Sequence, residues 1–224
     1  MPQDRQTLCF SATLEASVAG LVHDYMHDPV RVAIGSTLKP AASVSLAAYE
    51  VRPNEKSMVV RELLYSEEGQ TLIFTRTKRG AERLHRDLTR DGFSAALIHG
   101  DRTQGQRNNA LNGFSEGKFK VLVATDVASR GLHIPDVAHV INFDLPGLAE
   151  DFIHRVGRSG RNGASGKATT IVSGADMIEL NSMEKTLKLK IERKTIDLSK
   201  LQQPERKDTL KSRTLKKLPG EVFV

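Results

Sequence analysis

The residues best suited to chemistry lie in the stretch HRVGRSGRNG, His154 to Gly163. Arg155, Arg158 and Arg161 recur there at every third position, set among glycines and behind a leading histidine. A guanidinium is planar, permanently charged and forked, and glycine lets a backbone come close to a ligand. Such a segment suits phosphate. Three more polar segments follow apolar runs. RTKRG follows TLIFT (71–75) and places Thr77 and Lys78 at a helix start, a position suited to an anion. GDRTQGQR follows SAALIH (94–99), with Gly100 allowing a tight turn and Arg107 lying one helical turn past Gln104. DVASRGLHIP follows KVLVAT (120–125) and brings Thr125, Asp126, Arg130 and Gly131 to a strand end. Each alone is ordinary turn chemistry; together they carry Thr, Gly, Arg and Lys toward one rim.

The frame that gathers them is legible in the hydrophobic pattern. SLAAYEV (45–51), TLIFT, SAALIH, KVLVAT, AHVINF (138–143) and KATTIV (167–172) are nearly continuous apolar runs, the signature of strands buried on both faces. Between them NEKSMVVRELLY, TKRGAERLHRDLTRDG, TQGQRNNALNGFSEG and LAEDFIHRVG repeat their apolar residues at three and four. In the second of these Ala81, Leu84 and Leu88 share a face, Thr77 can cap the start, and Gly92 follows Asp91 as a stop. The alternation predicts an α/β fold: a parallel sheet flanked by helices on both faces, with ligands beyond the carboxyl ends of the strands.

Composition narrows the partner. With 39% hydrophobic and 27% charged residues, the 224-residue chain can bury one core of about 150 residues plus appendages. The single cysteine, Cys9, rules out an internal disulfide framework and a cysteine-rich zinc site. No long apolar run or signal peptide is present, so no membrane partner and a cytoplasmic location are expected. A net charge of +6 points to a polyanion or to a merely basic surface. Aromatic residues make up 5% and tryptophan is absent, which favours phosphate contacts over base stacking.

The ordered series of segments resembles the second RecA-like domain of DEAD-box RNA helicases over about residues 5–175. SAT, with Ser11 and Thr13, is similar to motif III, which closes the first RecA-like domain. LIFTRTK resembles motif IV, Gln104 and Arg107 the Gln-x-x-Arg element, ATDVASRGLHIP motif V, and HRVGRSGR motif VI. His154 at the head of motif VI favours the DEAD-box branch over its DEAH-box relatives.

The resemblance implies two RecA-like domains closing over ATP, Mg²⁺ and RNA. Arg158 and Arg161 would be arginine fingers, with His154 and Arg155 tying motif VI to the catalytic loop of the other domain. An ion pair between Arg155 and Asp151 is the local alternative. Thr77, Lys78, Gly100, Arg107 and Thr125 would line the RNA backbone, giving little sequence specificity. Gly131 and His133 would approach the nucleotide; Ser11, Thr13, Gln104, Asp126 and Arg130 would couple the two activities. His133 stands where the family usually has Asp, so a ribose contact through a carboxylate is not expected there, while a neutral imidazole could accept or donate one hydrogen bond. The sequence has no Gly-x-x-x-x-Gly-Lys-Ser/Thr and no Asp-Glu-Ala-Asp, so ATP and Mg²⁺ would be held mainly by an N-terminal domain. Alone the chain is expected to be inactive.

The expected organisation is a remnant of that N-terminal domain (1–34), a linker (35–44), the C-terminal domain (45–196) and a basic flexible tail (197–224). QTLCFSAT reads as a strand without its native sheet, to be disordered, docked on the core or paired with another copy, and Lys200 to Lys217 as a source of added RNA affinity. A stand-alone RNA-binding module and a DNA translocase of the same superfamily are the alternatives.

Overall fold

Every paired strand runs in the same direction. The computed structural model describes residues 5–10, 16–32, 43–126, 134, 136–160 and 165–197. Within them seven strands form one parallel sheet: β1 (Val44–Glu50), β2 (Thr71–Thr75), β3 (Ala95–Ile98), β4 (Val121–Thr125), β5 (His139–Asn142), β6 (Gly166–Val172) and β7 (Glu192–Lys194). Their order is β3-β4-β2-β5-β6-β1-β7. All residues of β2, β4 and β5 are buried, as their unbroken apolar runs require of inner strands covered on both faces.

The helices divide between those faces. α2 (Lys56–Ser66) and α3 (Lys78–Arg90) pack Val59, Val60, Leu63, Leu64, Ala81, Leu84 and Leu88 against Ile73, Leu97, Val121, Val123 and Ile141. α4 (Gln104–Ser115), α5 (Ala149–Val156) and α6 (Met177–Leu187) cover the other face, where Phe114, Phe152 and Leu180 meet Leu72, Phe74, Leu122 and Val140. Removing a ring as enclosed as that of Phe74, 1% exposed, would cost about 3–5 kcal/mol. The chain leaves β2 for the α3 face and the adjacent β5 for the α5 face, so the loops beyond these two strands part and open the carboxyl rim to a ligand.

Local sequence sets the helix starts. Thr77 accepts a 3.0 Å bond from the Gly80 amide, and Thr103 opens α4 with a capping box closed by Gln106. Lys120 donates to the carbonyls of Leu64 and Glu67 at the end of α2, the favourable place for a cation on a helix.

Of QTLCFSAT, residues 6–10 are described and form no strand, in keeping with a segment that lacks its native sheet; Leu8 and Phe10 are 64% and 90% exposed, and residues 11–13 lie outside the described residues. A lone extended segment has no neighbour to pair its backbone. α1 (Ala16–Tyr25) follows. Two further elements are not expected from the sequence pattern. α6 buries Leu180, Met183 and Leu187, and β7 adds a parallel edge strand through Ala47↔Glu192 to Tyr49↔Lys194. Among the described residues no helix is long and apolar enough to cross a membrane.

Candidate functional site

Pairing register brings the polar segments to one rim. Thr75 is the partner of Thr125, and Ile98 of Ala124, so the ends of β2, β3 and β4 are level. Thr77 and Lys78, just past the end of β2, are exposed. Lys78 crosses to the β3 loop, where its Nζ lies 2.5 Å from Asp101 Oδ1. That bond holds the Asp101 carboxyl below the ordinary carboxylate range. A Cβ added to Gly100 would lie 3.4 Å from Lys78 Cε and meet no backbone. The fold therefore tolerates a side chain at Gly100, and the tight turn does not account for the glycine. On α4, Arg107 donates to Gln104 Oε1 at 3.2 Å, and Gln104 to Asn108 Oδ1 at 2.9 Å. Thr125 stands beside Thr75 beneath this rim and is 6% exposed, leaving little surface for a direct contact.

A second constellation is built on Arg155. Its guanidinium, 2% exposed, donates from Nε and Nη2 to the two carboxylate oxygens of Asp126, both at 2.6 Å. Nη1 reaches Asn142 Oδ1 at 3.0 Å and the Asp144 carbonyl at 2.7 Å. The plane lies over Phe74, 5.0 Å from the ring centre. The geometry corrects the expectation that Arg155 reaches a second domain: its donors are spent inside this one, on Asp126 and not on Asp151. It joins the start of the segment after β4 to α5 and to the end of β5. Asn142 and Asp144 were missed from sequence; the available signal was that an arginine on the inner face of an amphipathic helix must find acceptors.

Arg155 fixes where the rest of motif VI begins. After α5 the Arg158 amide donates to the Arg155 carbonyl at 3.1 Å, and the Arg158 carbonyl accepts from Val137 at 3.0 Å. Ser159 Oγ donates to the Val137 carbonyl at 2.6 Å. Gly160 takes a φ of 71°, a left-handed conformation that glycine adopts freely. A Cβ on Gly166 would fall 2.6 Å from the Gly160 amide nitrogen. What comes close to this glycine is thus the first residue of β6. His154 is half-buried, and its Nε2 is buried with no hydrogen-bond partner among the described residues. Arg161, Arg130, Gly131, His133, Ser11, Thr13 and the tail from Lys200 lie outside the described residues.

Two arrangements emerge: a polar rim at the ends of β2 and β3, and a motif VI arm held at Arg155 and again at Arg158 and Ser159. Residues 55–163 match the family model of the helicase conserved C-terminal domain. An Escherichia coli DEAD-box protein, SrmB, solved with regulator of ribonuclease activity A, is 33% identical with a TM-score of 0.66. That match covers 69% of this chain and 92% of the SrmB chain. The chain belongs to the DEAD-box family. DEAD-box ATP-dependent RNA helicase 14 of Arabidopsis thaliana is 41% identical over 84% of this chain and 31% of its own length. Saccharomyces cerevisiae Dbp5 bound to RNA and ADP BeF3 is 29% identical with a TM-score of 0.77, over 87% of this chain and 52% of that one. This DEAD-box chain therefore spans about a third of the curated relative and half of Dbp5. Among the described residues no group of three or more His, Cys, Asp or Glu could hold a metal ion.

Proposed function

We propose that the chain is the C-terminal half of an ATP-dependent RNA helicase. It holds the RNA backbone through Thr77, Lys78, Gly100 and Arg107, with Thr125 beneath them, and offers Arg158 and Arg161 to ATP carried by an N-terminal RecA-like domain. The observation that carries this reading is the pinned arm. Arg158 follows a buried Arg155 with four hydrogen bonds and has its own amide and carbonyl engaged. Charge fixed in place before the reaction stabilises developing phosphate charge without reorganisation, and arginine fingers contribute roughly 10³ to 10⁵ in rate.

His154 supports the same reading, since a buried ring nitrogen without a described partner is the kind of group a second domain would satisfy. Gly131 and His133 are assigned to the nucleotide side. Asp126 and Arg130 couple it to the rim, because Asp126 follows Thr125 on β4 and is gripped by Arg155. Ser11, Thr13 and Gln104 take the remaining coupling roles. ATP with Mg²⁺, when bound, supplies the phosphoryl group whose hydrolysis resets the open state. This chain's residues orient that group and position RNA; the donor set here, with Asp126 spent on Arg155, fits contact to phosphate and not to the metal.

Complementing the 224-residue chain with a DEAD-box N-terminal domain tests the proposal. RNA-stimulated ATP hydrolysis is expected from the pair and not from the chain alone.

A further inference from the structure

The outward face of α3 carries four arginines that neither fold nor rim explains. Arg79, Arg83, Arg86 and Arg90 are all exposed. At 3.6 residues per turn they fall within an arc of about 60°, directly opposite the buried Ala81, Leu84 and Leu88. Arg90 pairs with Asp87 at 2.9 Å. The guanidinium groups of Arg79, Arg83 and Arg86 have no hydrogen bond or ion pair among the described residues. Like charges three and four apart on a helix repel and weaken it. An ordinary solvated face mixes both signs, and among the described residues no ion pair offsets the charges of Arg79, Arg83 and Arg86.

The helix begins at the rim, with Thr77 and Lys78, and the stripe runs from there for about 16 Å along the axis, a length over which a nucleic-acid strand presents several phosphates. Beside it, between α3 and the edge strand β3, lies a groove lined by Glu82, His85, Arg86, Thr89, Leu97 and Arg102. Arg102 Nε is buried there without a partner among the described residues. Burial, opposed by the bond to the Ala95 carbonyl and aided by the charge of Arg102, holds His85 below its ordinary range, and Arg86 and Arg102 supply the positive charge of this flank. Glu82 is the acidic exception and faces His99 at 3.4 Å.

We infer that RNA leaving the rim continues along α3, its phosphates met by Arg79, Arg83 and Arg86 with Arg102 on the flank. The inference rests on the RNA reading of the rim. Arginine on a single-sign stripe suits phosphates and carries no base readout.

Fluorescence anisotropy of the 224-residue chain with two oligouridylates, of about five and about twenty nucleotides, tests it. R79Q/R83Q/R86Q is expected to weaken the longer RNA by about tenfold or more and to lower its salt slope by about 2, at roughly 0.7 for each phosphate no longer neutralised. The shorter RNA, which the rim accommodates alone, keeps its affinity, and R79K/R83K/R86K retains most of the binding to the longer one. Unchanged affinity for the longer RNA, or equal losses at both lengths, overturns the inference. So does a loss confined to polyglutamate, which makes the face a dock for acidic protein. Failure of the rim reading is separate: Gly100→Ala and Arg107→Ala would then leave the shorter RNA unaffected.

Discussion

Arg155 grips the carboxylate of Asp126 with two parallel bonds of 2.6 Å, from a position 2% exposed to solvent. Removing one partner of a buried pair leaves the other charge uncompensated, at a cost of about 3–5 kcal/mol. Asp126→Ala is expected to lower stability by that amount in denaturant unfolding. Arg155→Lys should fail to rescue the fold, because an ammonium cannot bond Asp126 twice and still reach Asn142 and the Asp144 carbonyl. A loss below about 1 kcal/mol for Asp126→Ala would show that the pair is dispensable.

Gly100 separates two explanations of a rim glycine. Since a Cβ there meets only the flexible end of Lys78 at 3.4 Å, Gly100→Ala is expected to leave the melting temperature within a degree or two while weakening RNA. If stability falls with no change in RNA affinity, the turn and not the ligand requires the glycine.

Gly166 and Gly160 make the opposite case. A Cβ on Gly166 would press on the Gly160 backbone at 2.6 Å, and overpacking of this kind costs about 1–3 kcal/mol. Gly166→Ala should displace the arm beyond Arg158. In a two-domain protein its turnover should fall further than its stability, and equal behaviour of the two quantities would show that the arm's place is not critical.

These cases show what can be read in advance. The cap at Thr77 and the triplet Ala81, Leu84 and Leu88 define α3 to within a residue, because capping and a one-sided apolar face are local properties. The inner strands are equally plain, since a run such as TLIFT buried on both faces leaves no polar alternative. β7 is not legible: Glu192, Arg193 and Lys194 are all exposed and form a strand only because β1 offers an open edge. The Arg155 partners are hidden for a related reason. Asp126 lies 29 positions away, and only the sheet order brings the end of β4 under α5. Thr77, Lys78 and Gly100 each follow a run that reads as a strand, but no local pattern reveals that Thr125 is covered, because its cover comes from strands and loops distant in the chain.

A pH effect lies at the opposite end of the sheet. Glu67 Oε2 is 2.9 Å from His139 Nδ1 and its other oxygen 3.4 Å from Lys167. The bond with His139, aided by both charges and opposed by burial, holds Glu67 below its ordinary value of 4.5. A depressed carboxyl stabilises the fold above its unfolded value and loses that contribution as pH falls through the folded one. Glu67→Gln should therefore be less stable than the parent near neutrality, with the gap closing below pH 4.5. A gap that stays constant to lower pH would mean that packing, not charge, is what Glu67 supplies.

The central claim is that Arg158 acts on a nucleotide held by another domain. It is tested most directly by steady-state ATP turnover of a two-domain protein carrying Arg158→Ala. The account expects turnover lower by about 10³ or more, with nucleotide-free RNA affinity and melting temperature close to those of the parent, because Arg155, Ser159 and the backbone bonds of Arg158 hold the arm. Near-normal hydrolysis, or a large loss of stability and RNA binding together, would contradict it.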